Sequence, residues 1–292
     1  MEGEKEGRGS GGTVGSLGIF PGNIPLKMRD WIDPDKLDWY PLSENPRAIA
    51  LLEKNPCNVF WSRLSENPGA IYILEKNPDK INWSCLSSNP AAIALLEKNP
   101  HNIDWRRLSE NPAAVHLLEQ NPDKINWSRL SKNPAAIGLL EKNLDKIDWE
   151  FFSANPAAAA VALLEKNPGK IDWYHLSENP RAIEILEKNP HKIDWIYLSS
   201  NTAADAVALL EQNPDKIYWT YLSSNPGAIS ILQRNPDKVN WVCISKNPAI
   251  FVYDYATMRA SRAGLNEEII RAAWHPRRVL AALESGADVE DL

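Results

Sequence analysis

Leucine, isoleucine and alanine return along this chain at fixed distances from tryptophan, with polar residues between them at equally fixed distances. The stretch Asp79 to Pro100, DKINWSCLSSNPAAIALLEKNP, is one copy of a pattern running from Asp35 to Ile250. Aligned on Trp39, Trp61, Trp83, Trp105, Trp127, Trp149, Trp173, Trp195, Trp219 and Trp241, the copies are 22 residues apart except for two gaps of 24. A period of this size predicts stacked repeats, each unable to bury its apolar face alone.

Within a copy the apolar positions predict two short helical pieces. Asn45-Pro46 pairs a capping side chain with proline at a first helical position, so a helix is expected from Pro46 to about Lys54. Asn55-Pro56 ends it, because a residue before proline is driven from the α region. Asp38 can cap a second piece from Trp39 to Ser43, short enough to be 3₁₀. Leu37, Trp39, Leu42, Ala48, Ile49, Leu51 and Leu52 are the expected core of the first copy. Helices this short are not stable alone, so stacking must hold them, each buried Leu or Ile contributing roughly 1.5–3 kcal/mol before entropy is subtracted. The tryptophans read as core packing.

The predicted architecture is an all-α solenoid of about ten repeats with caps. Residues 1–18 read as a disordered tail, 19–34 as an N-terminal cap with Trp31 in its lid, 35–250 as the repeats and 251–292 as a helical C-terminal cap. Helices are expected over 253–263, over 267–274 and from Pro276 to Ser285. The sixth and eighth copies carry two extra residues in alanine-rich stretches at the start of the longer helix, which lengthen it.

The motif LSxNPxAIxLLEKNPDKIDW resembles the short tryptophan and Asn-Pro repeats of uncharacterised proteins of large nucleocytoplasmic DNA viruses. The ending NPAIFVYDY to GADVEDL resembles the tail such proteins carry. The resemblance covers nearly all of the chain after residue 30 and implies no activity. The period and its Asn-Pro punctuation are also similar to leucine-rich-variant repeats, in which α and 3₁₀ helices alternate along a right-handed superhelix. Asn143-Leu144 and Asn201-Thr202, where proline is missing, depart from the pattern.

Composition adds little to this picture. A net charge of -6 argues against a surface built wholly for nucleic acid. Cys57, Cys85 and Cys243 have no disulfide or zinc spacing. No signal peptide or membrane span is read, so an intracellular, soluble protein is expected. The five histidines fall in different phases, and P-loop, G-x-S-x-G and H-E-x-x-H motifs are absent. An enzyme, a cofactor and a metal are therefore not expected. A bare GxGxxG at Gly7, Gly9 and Gly12 lacks the strand and helix that would give it meaning.

Positions released from packing are where a repeat array can read a partner. The second residue after each tryptophan gives Arg63, Arg107 and Arg129, then Phe151, His175, Tyr197 and Tyr221. These are expected to line up as a basic segment running into an aromatic one, residue types enriched at protein interfaces. The expected function is a non-enzymatic scaffold or adaptor that binds another protein. A structural virion component and nucleic-acid binding along the same row are the alternatives.

Overall fold

The computed structural model describes residues 25–260. The expected tail, part of the N-terminal cap and the C-terminal helices beyond Ala260 lie outside the described residues. The chain divides into two units, Met28–Val252 and the ends outside it.

Met28–Val252 is an all-α repeat solenoid of ten units. Each opens with a one- to two-turn α-helix at its tryptophan, from Trp39–Leu42 in the first to Trp241–Ser245 in the tenth. An Asn-Pro turn follows, usually 3₁₀, as at Pro68–Ala70, and runs into a second helix such as Ile71–Lys76. A further 3₁₀ turn, Pro78–Lys80, leads to the next unit. The tryptophan piece is thus α rather than 3₁₀, and 3₁₀ geometry sits at the Asn-Pro turns, where proline fixes φ and removes a donor.

The two Asn-Pro pairs do different work. Asn67 Oδ1 accepts from the Gly69 N–H as an N-cap, whereas Asn77 Nδ2 donates to the Ile73 carbonyl, one of the last orphan acceptors of its helix. Asn143 keeps the equivalent bond to the Leu139 carbonyl, and Leu144–Lys146 stays 3₁₀, so the missing proline leaves the turn intact.

Between the tryptophan helices and the second helices lies a layer of Leu42, Ala48 and Leu52, repeated as Leu64, Ala70, Leu74 and onward, all within 1% of complete burial. Successive tryptophan helices pack directly on one another, while the second helices make their main contacts inside their own unit. The array therefore curves with the tryptophan helices inside and the second helices outside. The two-residue insertions fall in this roomier outer layer, where turn and helix merge into the nine-residue helices Ala158–Lys166 and Ala204–Gln212.

The tryptophans depart from expectation. All ten are half-buried, because each stands at the first position of its helix, at the edge of the layer. Seven are covered by a lysine of the following unit, with the ammonium 4.5 to 5.1 Å from the ring centroid, as for Lys192 over Trp173.

Serine and asparagine of the LSxNP motif join the units. Ser43 Oγ donates to the Trp39 carbonyl and accepts from the Phe60 N–H of the next unit. Asn67 Nδ2 donates to the Ser43 and Asn45 carbonyls of the preceding unit, both at 3.0 Å. All ten such serines and ten such asparagines are buried. The pattern does not stop at the tenth unit. Asn45 Nδ2 donates to the Ser245 and Asn247 carbonyls at 3.0 and 3.1 Å, Ser245 Oγ accepts from the Asp38 N–H at 2.9 Å, and Lys36 lies over Trp241.

The first unit thus stacks on the tenth through the bonds that join every other pair, and Met28–Val252 closes into a ring. The face that the sequence leaves for an N-terminal cap is covered by the tenth unit. Where a tenth second helix would stand, Phe251–Tyr253 is a strand paired with Leu26–Met28. Arg29 adds bonds to the Ala249 and Ile250 carbonyls. The helix expected from Tyr253 begins at residue 255, because strand pairing holds Tyr253 extended and Asp254 caps the turn through the Thr257 N–H and hydroxyl.

Candidate functional site

The row read from the sequence sits in the first turn of the tryptophan helices. The residue before tryptophan fixes it there: Asp104, Asn126, Asp172 and Asp194 accept from the backbone N–H of Arg107, Arg129, His175 and Tyr197 at 2.9 to 3.2 Å. Each cap thereby sets the direction of one row residue.

Two ion pairs reveal which wall carries the row. Arg107 Nη1 reaches Glu66 Oε1 at 2.7 Å, and Lys132 Nζ reaches Glu178 Oε1 at 2.7 Å; each passes over an entire intervening unit. Side chains two units apart meet only where units converge, so the row and the glutamate and lysine positions beside it line the inner wall.

Along repeats six to nine the row is a continuous run of rings. Phe151 and His175 have centroids 5.5 Å apart, His175 and Tyr197 5.9 Å, and Tyr197 and Tyr221 6.4 Å. Tyr174 joins Tyr197 edge-on at 6.2 Å and is 59% exposed. His175 Nδ1 lies 2.9 Å from Asp172 Oδ1. Partial burial, Tyr221 and the carboxylates of Glu178, Asp194 and Asp172 hold the Tyr197 phenol above its ordinary pKa. Asp172, Tyr174 and Asp194 also edge an open cavity of about 410 Å³.

Repeats one to five are different. The structure brings Arg63, Arg107 and Arg129 into the row, but each is already paired. Arg63 contacts Glu44 and Glu66 at 3.6 and 3.1 Å and lies over the Tyr40 ring at 4.6 Å. Arg129 contacts Glu110 at 2.8 Å. Glu66 bridges two guanidiniums with its side chain only 16% exposed. Burial opposes the charge of Arg63, yet its bonds to Tyr40 and Glu66 and the charge of Glu44 prevail and raise its pKa. Between the arginines, burial and a hydrogen bond to Glu66 push the Cys85 thiol up to about 11, against the pull of Arg107 and Arg63.

Sequence reasoning missed the second row, Glu44, Glu66, Glu110, Lys132 and Glu178, each the residue between serine and asparagine in LSxNP. Its variability beside two invariant neighbours was the available signal. A cavity of about 300 Å³ lies elsewhere, lined by Val59, Trp61, Tyr72 and Lys76. Burial and the Glu53 carboxylate push the Tyr72 phenol there up to about 12. Among the described residues no group of three His, Cys, Asp or Glu could hold a metal ion, and no helix is long and apolar enough to cross a membrane. Comparison with protein-family models, with curated proteins and with solved structures returns no match for the chain.

Proposed function

We propose that this ring is a non-enzymatic adaptor that binds a segment of another protein against its inner wall. The observation that carries the reading is the unbroken line of Phe151, His175, Tyr197 and Tyr221 at 5.5 to 6.4 Å spacing on the concave side. Ten units at that spacing give a perimeter of roughly 60 Å and roughly 19 Å between opposite ring centroids, so the bore suits a single helix about 10–12 Å across or an extended strand. A folded domain is too wide. Rigid aromatic side chains on short helices, those of His175 and Tyr197 capped by Asp172 and Asp194, present contact area at low entropic cost.

Nucleic acid fits less well, because the carboxylates of Glu44, Glu66 and Glu110 already neutralise the arginines that would follow phosphates. Kinship with the repeat proteins of large nucleocytoplasmic DNA viruses belongs to the same proposal and would place the partner in an infected cell or a virion.

The test is selection of displayed random peptides on the full chain, followed by binding to a variant with Phe151, Tyr197 and Tyr221 all replaced by alanine. Enriched peptides are expected to bind the variant at least about tenfold more weakly while its helical circular dichroism is unchanged. Peptides that bind both proteins equally would remove the inner wall as the site.

A further inference from the structure

Repeats one and seven carry the same two residues at the same two inner positions. Tyr40 and Tyr174 each follow the tryptophan directly, and Glu44 and Glu178 each stand between the serine and the asparagine. In the first repeat the pair is filled. Arg63, from the second repeat, lays its guanidinium 4.6 Å above the Tyr40 ring and contacts Glu44 at 3.6 Å. In the eighth repeat the position of Arg63 is held by Tyr197, whose ring meets Tyr174 edge-on. The aromatic face and the carboxylate are present, and among the described residues no guanidinium lies between them. Tyr174 is accordingly 59% exposed.

We infer that Tyr174, Tyr197 and Glu178 form a receptor for an arginine side chain of the bound segment, which would make to Tyr174 and Glu178 the contacts that Arg63 makes to Tyr40 and Glu44. This rests on the adaptor reading and adds the chemistry of the partner: a segment that carries arginine. Cationic groups bind aromatic faces most strongly where water is partly excluded, and the planar guanidinium both stacks and donates to a carboxylate. Glu178 is already in contact with Lys132 at 2.7 Å, but Glu66 shows that a carboxylate on this wall carries two cations, Arg63 and Arg107. The open cavity beside Tyr174 is edged by the carboxylates of Asp172 and Asp194 and by Lys192 and His191, so the selectivity for a guanidinium must come from Tyr174, Tyr197 and Glu178 themselves.

The experiment uses the full chain and three acetylated, amidated peptides of equal length: alternating arginine and glycine, the same with citrulline for arginine, and alternating glutamate and glycine. Citrulline keeps the shape of arginine and removes its charge. The arginine peptide is expected to bind, and the citrulline and glutamate peptides to bind roughly tenfold more weakly or not at all. Tyr174→Leu and Glu178→Gln should each weaken the arginine peptide, Tyr197→Phe should retain it, and Tyr197→Arg should abolish it by filling the site from within. Helical circular dichroism of each variant checks that the ring is intact.

Equal binding of arginine and citrulline peptides, no binding of the arginine peptide, or indifference to Tyr197→Arg overturns the inference. Displayed peptides that need the inner wall yet lack arginine would also overturn it while leaving the adaptor reading in place. Displayed peptides indifferent to the wall would overturn the adaptor reading itself.

Discussion

Two sets of positions circle the same ring under opposite constraints. The joints, Ser43 and Asn45 and their nine counterparts, are the same residues in every unit and fully buried. The inner row two residues after tryptophan changes from Pro41 through Arg63, Cys85 and Phe151 to Tyr221. A buried amide or hydroxyl must find every partner or lose more than it gains, which leaves the joints no freedom. The row contributes little to the packing layer, so its residues can differ from unit to unit. Identity marks the positions that build the ring, and variation marks those that can read a partner.

The largest effects should come from the joints. Asn133→Ala removes two bonds to the Ser109 and Asn111 carbonyls and the cap on Ala135, and should cost about 3 kcal/mol in denaturant unfolding. Asn45→Ala, at the junction of the first and tenth units, should cost as much. A much smaller loss at Asn45 would mean that this junction is open in solution. Next comes Gly227, where a Cβ would sit 2.9 Å from the Thr202 carbonyl of the lengthened eighth unit, so Gly227→Ala should cost about 2 kcal/mol by overpacking. The wider setting of Gly138, with nothing within 4 Å, makes Gly138→Ala the control, expected to stabilise by several tenths of a kcal/mol as a helix substitution.

Inner-row substitutions should be milder. Glu66→Gln breaks the bridge to Arg63 and Arg107, both partly solvated, and should cost about 1 kcal/mol. It should also lower the Cys85 thiol from its value of about 11 by removing the Glu66 charge while burial still holds it up, so that Cys85 alkylates somewhat faster at pH 8 in the variant than in the parent. Smallest is Lys192→Ala, which uncovers Trp173 and should cost about 0.5 kcal/mol while altering the tryptophan fluorescence.

Much of this was legible in the sequence, and what was missed has physical reasons. The period, the N-cap at Asn67 and the helix stop at Asn77 follow from residue chemistry alone. Local pattern could not assign the tryptophan piece to α or 3₁₀, since one turn satisfies both. Closure is a property of the sum: ten units share one full turn, about 36° each, and no single unit encodes that total. A trace of it was nevertheless present. Ser245 and Asn247 keep the joint chemistry in the last unit, where an array ending in a cap would have no further unit to receive it. The aromatic half of the inner row lined up as the spacing implied. The basic half became a set of ion pairs, because the glutamates that neutralise it lie in a second row: within the unit for Arg63 and Glu66, one unit back for Arg129 and Glu110, and two units back for Arg107 and Glu66.

The meeting of the first and tenth units also bears on how the protein comes apart. A linear array frays from its terminal units, each held by one neighbour, whereas here every unit from Trp39 to Ser245 has two. No unit can detach without severing two junctions at once, so the first opening event is the hardest and unfolding should be abrupt and slow. Because the serine and asparagine joints are the same at every junction, they do not themselves fix where the chain must begin and end. A permuted chain cut at the outer turn before Pro122, with its original ends joined, should close the same circle.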